Sequence, residues 1–254
     1  MDLDRITNPL RLAKGPHQPG TGTGCAMNVI SYINGDARIT DYPACSARPL
    51  AAFVQSCNDL LAGPGGYLTP ENSIIALDLG WQTVGTAAVS SRVVHAWVAE
   101  LLTSPTWGVV QYARITTVKA ISDIAELHRR VSRGTMPTLA SWHEARDIAI
   151  GEASTLVPAS NPAGFYALQA AHQSAELIEG RRQASLDDVT GSALRAHMLG
   201  TGIDSPIRYA LVTSEAIQSW RRLAGLPQAA RAPRHQSAGG ALARTDRHLA
   251  RTSA

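Results

Sequence analysis

A chain of 254 residues, 44% hydrophobic and 17% charged, has room for one sizeable core or two small domains and an ordinary globular composition. No apolar run approaches the roughly 18 residues of a bilayer-spanning helix. Acids at Asp2 and Asp4 stand where a secretory leader carries bases, so the expectation is a cytoplasmic protein without membrane contact. Three cysteines lacking C-x-x-C spacing read as reduced thiols, and the net charge of +3 hides a division. Residues 227–254 carry five arginines against one aspartate, a net +4 that leaves the rest of the chain at −1.

Residues 1–24, rich in Pro, Gly and Thr, show no periodicity and read as an irregular arm. Ala26, Val29, Ile30 and Ile33 then recur at helical spacing, and Gly35 closes that short helix. The next helix is stronger. Pro49 suits its first turn, and Leu50, Phe53, Val54, Cys57, Leu60 and Leu61 form one apolar stripe ahead of the Gly63-Pro64-Gly65-Gly66 break. Thr69-Pro70-Glu71 starts a third helix with a capping hydroxyl. Val94, Trp97, Val98 and Leu101 mark a fourth across 91–102. Residues 107–115 alone have strand character, and with no partner run a sheet is not expected.

The helical pattern then returns in 117–131, through Ile121, Ile124, Leu127 and Val131, and in the Ala-rich 139–156, with Trp142. Asn161-Pro162 caps a helix stacking Leu168, Ala171, Ala175 and Ile178 up to Gly180. Acids after Ser185 suit a helix N-terminus, and Ser205-Pro206 begins a last helix through Ile207, Ala210, Ile217 and Trp220. Short loops imply antiparallel neighbours. Residues 227–254 lack an apolar face and read as a disordered basic tail. The expected architecture is all-α: an arm over 1–24, a multi-helix bundle over 25–226 and the tail.

Candidate chemistry gathers in the loop before the first helix. Gly20, Gly22 and Gly24 alternate with threonines, and amides at such a turn make a candidate anion site. The dinucleotide fingerprint fails, because Cys25 or Met27 stands where its last glycine belongs, and no Gly-Lys-Ser/Thr follows. A flexible lead into the helix is the plainer reading. Cys25, at the first turn, is a candidate nucleophile because the helix dipole favours a thiolate. Asp36 and Asp41 are candidate acid–base partners, with His17 nearby. A buried thiol and turn-forming aspartates are the plainer alternatives. Cys25, Cys45 and Cys57 with His17 resemble a zinc set in residue type only. Their gaps of 20 and 12 residues lack the close pairs of structural zinc sites, and Cys57 lies on an apolar stripe. No metal or cofactor is therefore assigned. Trp142-His143-Glu144 lacks the second histidine of a zinc-protease helix, Asp147 standing in its place. His95 and His172 border apolar faces and read as packed or surface residues. In the tail, Arg231, Arg234, Arg244, Arg247 and Arg251 could bind nucleic-acid phosphates without sequence preference, or simply keep the chain soluble.

The block from Gly22-Thr23-Gly24-Cys25-Ala26-Met27-Asn28 through Asp41-Tyr42-Pro43-Ala44-Cys45 to Pro49-Leu50, followed by Asn58-Asp59, resembles one found in uncharacterised actinobacterial and actinophage proteins that continue into Ala-rich helices. The resemblance spans residues 22–66. It implies a high-GC actinobacterial, phage or mobile-element origin, and it implies no activity. The leading expectation is a non-enzymatic binding or scaffold protein with an unidentified protein partner, as monomer or oligomer. The alternatives are a small enzyme or anion- or metal-binding protein using residues 20–25, and nucleic-acid binding through the tail.

Overall fold

The computed structural model describes residues 11–15, 22–156, 160–177, 186–201 and 206–228. Among these residues the fold is all-α apart from two two-residue strands. In chain order the elements are β1 (Arg11–Leu12), β2 (Thr23–Gly24), α1 (Ala26–Asn34), α2 (Arg48–Leu61), α3 (Pro70–Gln82), α4 (Ser91–Thr103), a 3-10 turn (Val109–Tyr112), α5 (Ile115–Ser132), α6 (Leu139–Thr155), α7 (Pro162–Glu176), α8 (Leu186–Thr201) and α9 (Pro206–Leu223).

The local signals that begin and end these helices act as expected. Gly35, at φ 77°, closes α1 in the left-handed conformation. Thr69 Oγ1 accepts the Asn72 amide at 3.2 Å, and Asn161 Oδ1 accepts the Gly164 amide at 3.1 Å, each satisfying a first-turn donor. On α2 the residues Leu50, Phe53, Val54, Cys57 and Leu61 are buried. This helix is central, touching α3, α8 and α9. Sequence neighbours α4–α5, α6–α7 and α7–α8 pack along their lengths. Ala167, Ala170, Ala171, Ala175, Ala193 and Ala196 are buried on α7 and α8, and small side chains let such backbones approach closely. The few aromatic residues are concentrated. Trp97 meets Trp220 at 5.3 Å, Trp107 at 5.7 Å and Phe53 at 6.1 Å between ring centroids. Its indole N–H donates to the Ala216 carbonyl at 2.9 Å, and that of Trp220 to Thr86 at 3.2 Å, so both rings are buried without an orphaned donor.

Two expectations need correction. The strand expected over 107–115 is a 3-10 turn. The Gly108 amide bonds to Ser104 O at 2.8 Å, folding the chain back on the end of α4 so tightly that a Cβ on Gly108 would lie 2.3 Å from Ser104 N. Gly108 itself is extended, at φ −73° and ψ 151°, but Val109–Tyr112 then coils into the 3-10 turn. The α1 face is also turned: Ala26, Met27, Ile30 and Ser31 are buried, whereas Ile33 is 54% exposed. The cause is α3, where Gly80 presents bare backbone to Ile30 and Met27 and draws that side of α1 inward.

The irregular arm is anchored where it is described. β1 pairs in parallel with β2, Leu12 is 4% exposed, and its carbonyl accepts the Leu68 amide at 2.9 Å. Asn58 and Asp59 on α2 hold the same stretch. Asn58 Nδ2 donates to Ala13 O at 2.9 Å, and Asp59 Oδ1 accepts the Gly15 amide at 3.0 Å.

Candidate functional site

The residues leading into α1 form one hydrogen-bonded knot. Cys25 has extended backbone and precedes the first helical residue, so the amides of residues 25–27 lack partners within the helix. All three find partners in side chains. The Cys25 amide donates to Asn28 Oδ1 at 2.9 Å, and the Ala26 amide to Asn58 Oδ1 at 3.2 Å. The Met27 amide points at the Cys25 sulfur, and the Asn28 amide does so while bonding the Cys25 carbonyl at 3.1 Å. Cys25-x-x-Asn28 thus works as a capping box built from unusual residues. The anion site expected of Gly20, Gly22 and Gly24 is not formed by these amides, because the protein's own side chains fill it. Gly20 lies outside the described residues. Gly22 takes φ +74°, and a Cβ on Gly24 would meet Asn28 at 3.3 Å, so these two serve the backbone path and the close approach of Asn28.

Asp41 completes the knot. Its Oδ1 accepts Asn28 Nδ2 at 2.8 Å and the Cys25 thiol at 3.3 Å, and its Oδ2 accepts Gln55 Nε2 at 3.2 Å. Cys25 and Asp41 therefore do meet, yet they do not make an activated thiol. Cys25 is fully buried, and its pKa is pushed up to about 12, first by burial and next by the Asp41 charge. Hydrogen bonds from the Asn28 and Met27 amides pull the other way and are outweighed. This overturns the thiolate expected from the helix dipole: desolvation of a charged sulfur costs more than the dipole returns.

Asp36 belongs to a different group. It accepts Ser31 Oγ at 2.7 Å, Asn34 Nδ2 at 2.6 Å and the Ala44 amide at 3.2 Å. The Ser31 bond, followed by that of Asn34, lowers its pKa. Asp36 thus organises the bend between α1 and α2, as turn chemistry implied, and its bonds run to other residues than Cys25. Cys57 is fully buried, and burial pushes its thiol up to about 12. Cys45 is half-buried, its sulfur 3.7 Å from Ser46 Oγ. Among the described residues no three His, Cys, Asp or Glu side chains gather as metal ligands, and His17 is not among those residues. Arg231, Arg234, Arg244, Arg247 and Arg251 of the tail also lie outside the described residues.

Two polar groupings carried no sequence motif. Between α4 and α9 a cleft of about 230 Å³ is lined by Glu100, Trp107, Glu215, Gln218 and Arg222, among others. Its central charges are paired internally. Arg222 Nη2 lies 2.6 Å from each Glu100 oxygen, and Ser219 Oγ donates to Glu100 at 2.6 Å. The second grouping is a pair of touching histidines, His95 on α4 and His128 on α5. Of the knot itself, Asn28, Gln55 and Asn58 were missed as functional positions. The one readable signal was the C-x-x-N spacing, which imitates S/T-x-x-E/Q.

Comparison with protein-family models, curated proteins and solved structures finds no match to this chain. Among the described residues no helix is long and apolar enough to cross a membrane.

Proposed function

We propose that this protein is a non-enzymatic intracellular binding or scaffold protein of an actinobacterial phage or mobile element. The observation that carries the reading is the closure of the Cys25–Asp41 knot. The sequence offers its most suggestive chemistry there, and every helix-terminal amide, the thiol and the carboxylate are bonded within the protein around a sulfur with no exposed surface. A nucleophile needs access and a lowered pKa, and Cys25 has neither. Polar groups spent on fixing backbone make a rigid scaffold, whose use is to present its surface to a partner. The origin rests on the resemblance of residues 22–66.

Cross-linking in the host cell followed by mass spectrometry tests the reading. Wild type and a folded Cys25→Ser variant are expected to give the same cross-linked partners and the same cellular effect. A folded Cys25→Ser protein that keeps its cross-links but loses the effect would return the thiol to chemistry and overturn the proposal.

A further inference from the structure

His128 is fully buried, and three other helices converge on it. His95 of α4 places its Nδ1 2.8 Å from His128 Nδ1. Ser174 of α7 places its Oγ 3.1 Å from His128 Nε2. Trp142 of α6 sets its ring edge-on to the imidazole, with centroids 4.9 Å apart at 67°.

The hydrogen bonds determine where the protons are. Ser174 Oγ donates to the Ala171 carbonyl at 2.7 Å, so its one proton is committed and it can only accept from His128. Nε2 of His128 therefore carries the hydrogen, and in a neutral ring Nδ1 is then the acceptor. His95 must supply the proton from its own Nδ1. The order is fixed from end to end: His95 to His128 to Ser174 to the α7 backbone. It holds one proton between the two Nδ1 atoms and has no place for a second. A proton added to His128 would set two N–H donors against each other at 2.8 Å.

We infer that His95, His128 and Ser174 form a proton-gated clasp that ties α4 to α5 and α7 while both imidazoles are neutral, and that releases α4 when the pair is fully protonated. This device is independent of the proposed scaffold function. The Ser174 backbone favours an added charge on His128, but burial and His95 outweigh it, and the charged groups on the described helices nearby are engaged elsewhere. On α4, Arg92 lies one turn before His95 with its guanidinium beside Gly134, and Glu100 is held by Arg222 and Ser219. On α5, Arg129 bonds Thr103 Oγ1 and pairs with Glu126. On α6, the Arg146 charge acts on His172 of α7. Burial lowers the pKa of His95. Burial, and after it His95, hold His128 well below the usual histidine range.

The sign follows from these directions. Both folded pKa values lie below the unfolded value near 6.5, so the opened state binds more protons as pH falls. The clasp is intact above about pH 6.5 and weakens below it. At pH 5 each histidine that titrates only in the opened state favours opening by about 30-fold.

Amide hydrogen exchange of α4 from pH 8 to pH 5, corrected for intrinsic rates, tests this in wild type and His95→Asn. The Asn Nδ2 takes the place of the imidazole Nδ1 as donor, does not titrate, and can turn its Oδ1 to a protonated His128. Wild type is expected to lose more protection than the variant over this range, by up to about 30-fold for each histidine whose titration the substitution removes or relieves. Equal losses in the two proteins would overturn the inference. Imidazole ¹⁵N NMR of wild type supplies a reading that needs no variant. At pH 7 it is expected to show His128 protonated on Nε2 only and His95 on Nδ1. A proton on His128 Nδ1 at that pH would refute the clasp, whatever the variant does.

Discussion

Replacing Asn58 with alanine removes one buried side chain that holds two backbone segments far apart in sequence. Asn58 has no exposed surface. Its Oδ1 accepts the Ala26 amide at the start of α1, 32 residues away, and its Nδ2 donates to the Ala13 carbonyl in the arm, 45 residues away. Both groups lie where water does not reach, so the variant leaves a buried donor without a partner and weakens the satisfaction of a buried acceptor. Each such loss costs about 1–3 kcal/mol, and the combined expectation is about 2–5 kcal/mol. For a folded body of this size 1 kcal/mol moves the midpoint by about 2–4 °C, which places the fall in Tm near 10 °C. Thermal unfolding by circular dichroism measures it, with Asp59→Ala as the control. Asp59 makes a comparable arm contact at a part-buried position, where the lost bond is replaced by water and the cost stays under about 1 kcal/mol. An Asn58→Ala protein melting within about 1 °C of wild type, or above Asp59→Ala, would show that α2 does not anchor the arm and that the knot is not the source of rigidity argued here.

The thiols separate by burial. In native alkylation mapped by mass spectrometry Cys45 is expected to react first, because Cys25 and Cys57 are sealed and held near pKa 12; modification of Cys25 ahead of Cys45 would contradict the closed knot. Deleting residues 229–254 removes five arginines and one aspartate. It should leave Tm within about 2 °C of the full chain while any nonspecific nucleic-acid binding loses most of its salt dependence; a truncated protein that retains that binding would move the surface to the helices.

The sequence by itself determined the helices and their ends. Thr69, Asn161 and Gly35 act within four residues of where they stand, and the α2 stripe from Leu50 to Leu61 depends only on helical spacing. Such signals are local, so they can be read without knowing what packs against them. The strand expected over 107–115 fails because β-branched and aromatic residues fit a pleated surface but serve a helical core as well, and here Trp107 and Val109 are buried in that core beside a 3-10 turn.

The site was decided by contacts between distant residues. Cys25 at a helix N-terminus had the right local setting for a thiolate, but α2 brought Asn58 and Gln55 against the knot and buried the sulfur, and desolvation then outweighed the dipole. Asp36 and Asp41 looked alike beside one bend; the fold turned the first to Ser31 and Asn34 and the second to Cys25, Asn28 and Gln55. His128 carried no signal in the sequence, because its partners stand 33 residues before it at His95 and 46 after it at Ser174. Helix propensity and capping energies belong to neighbours along the chain. Burial and the protonation state it imposes depend on what the whole fold brings together, and only the tertiary structure supplies that.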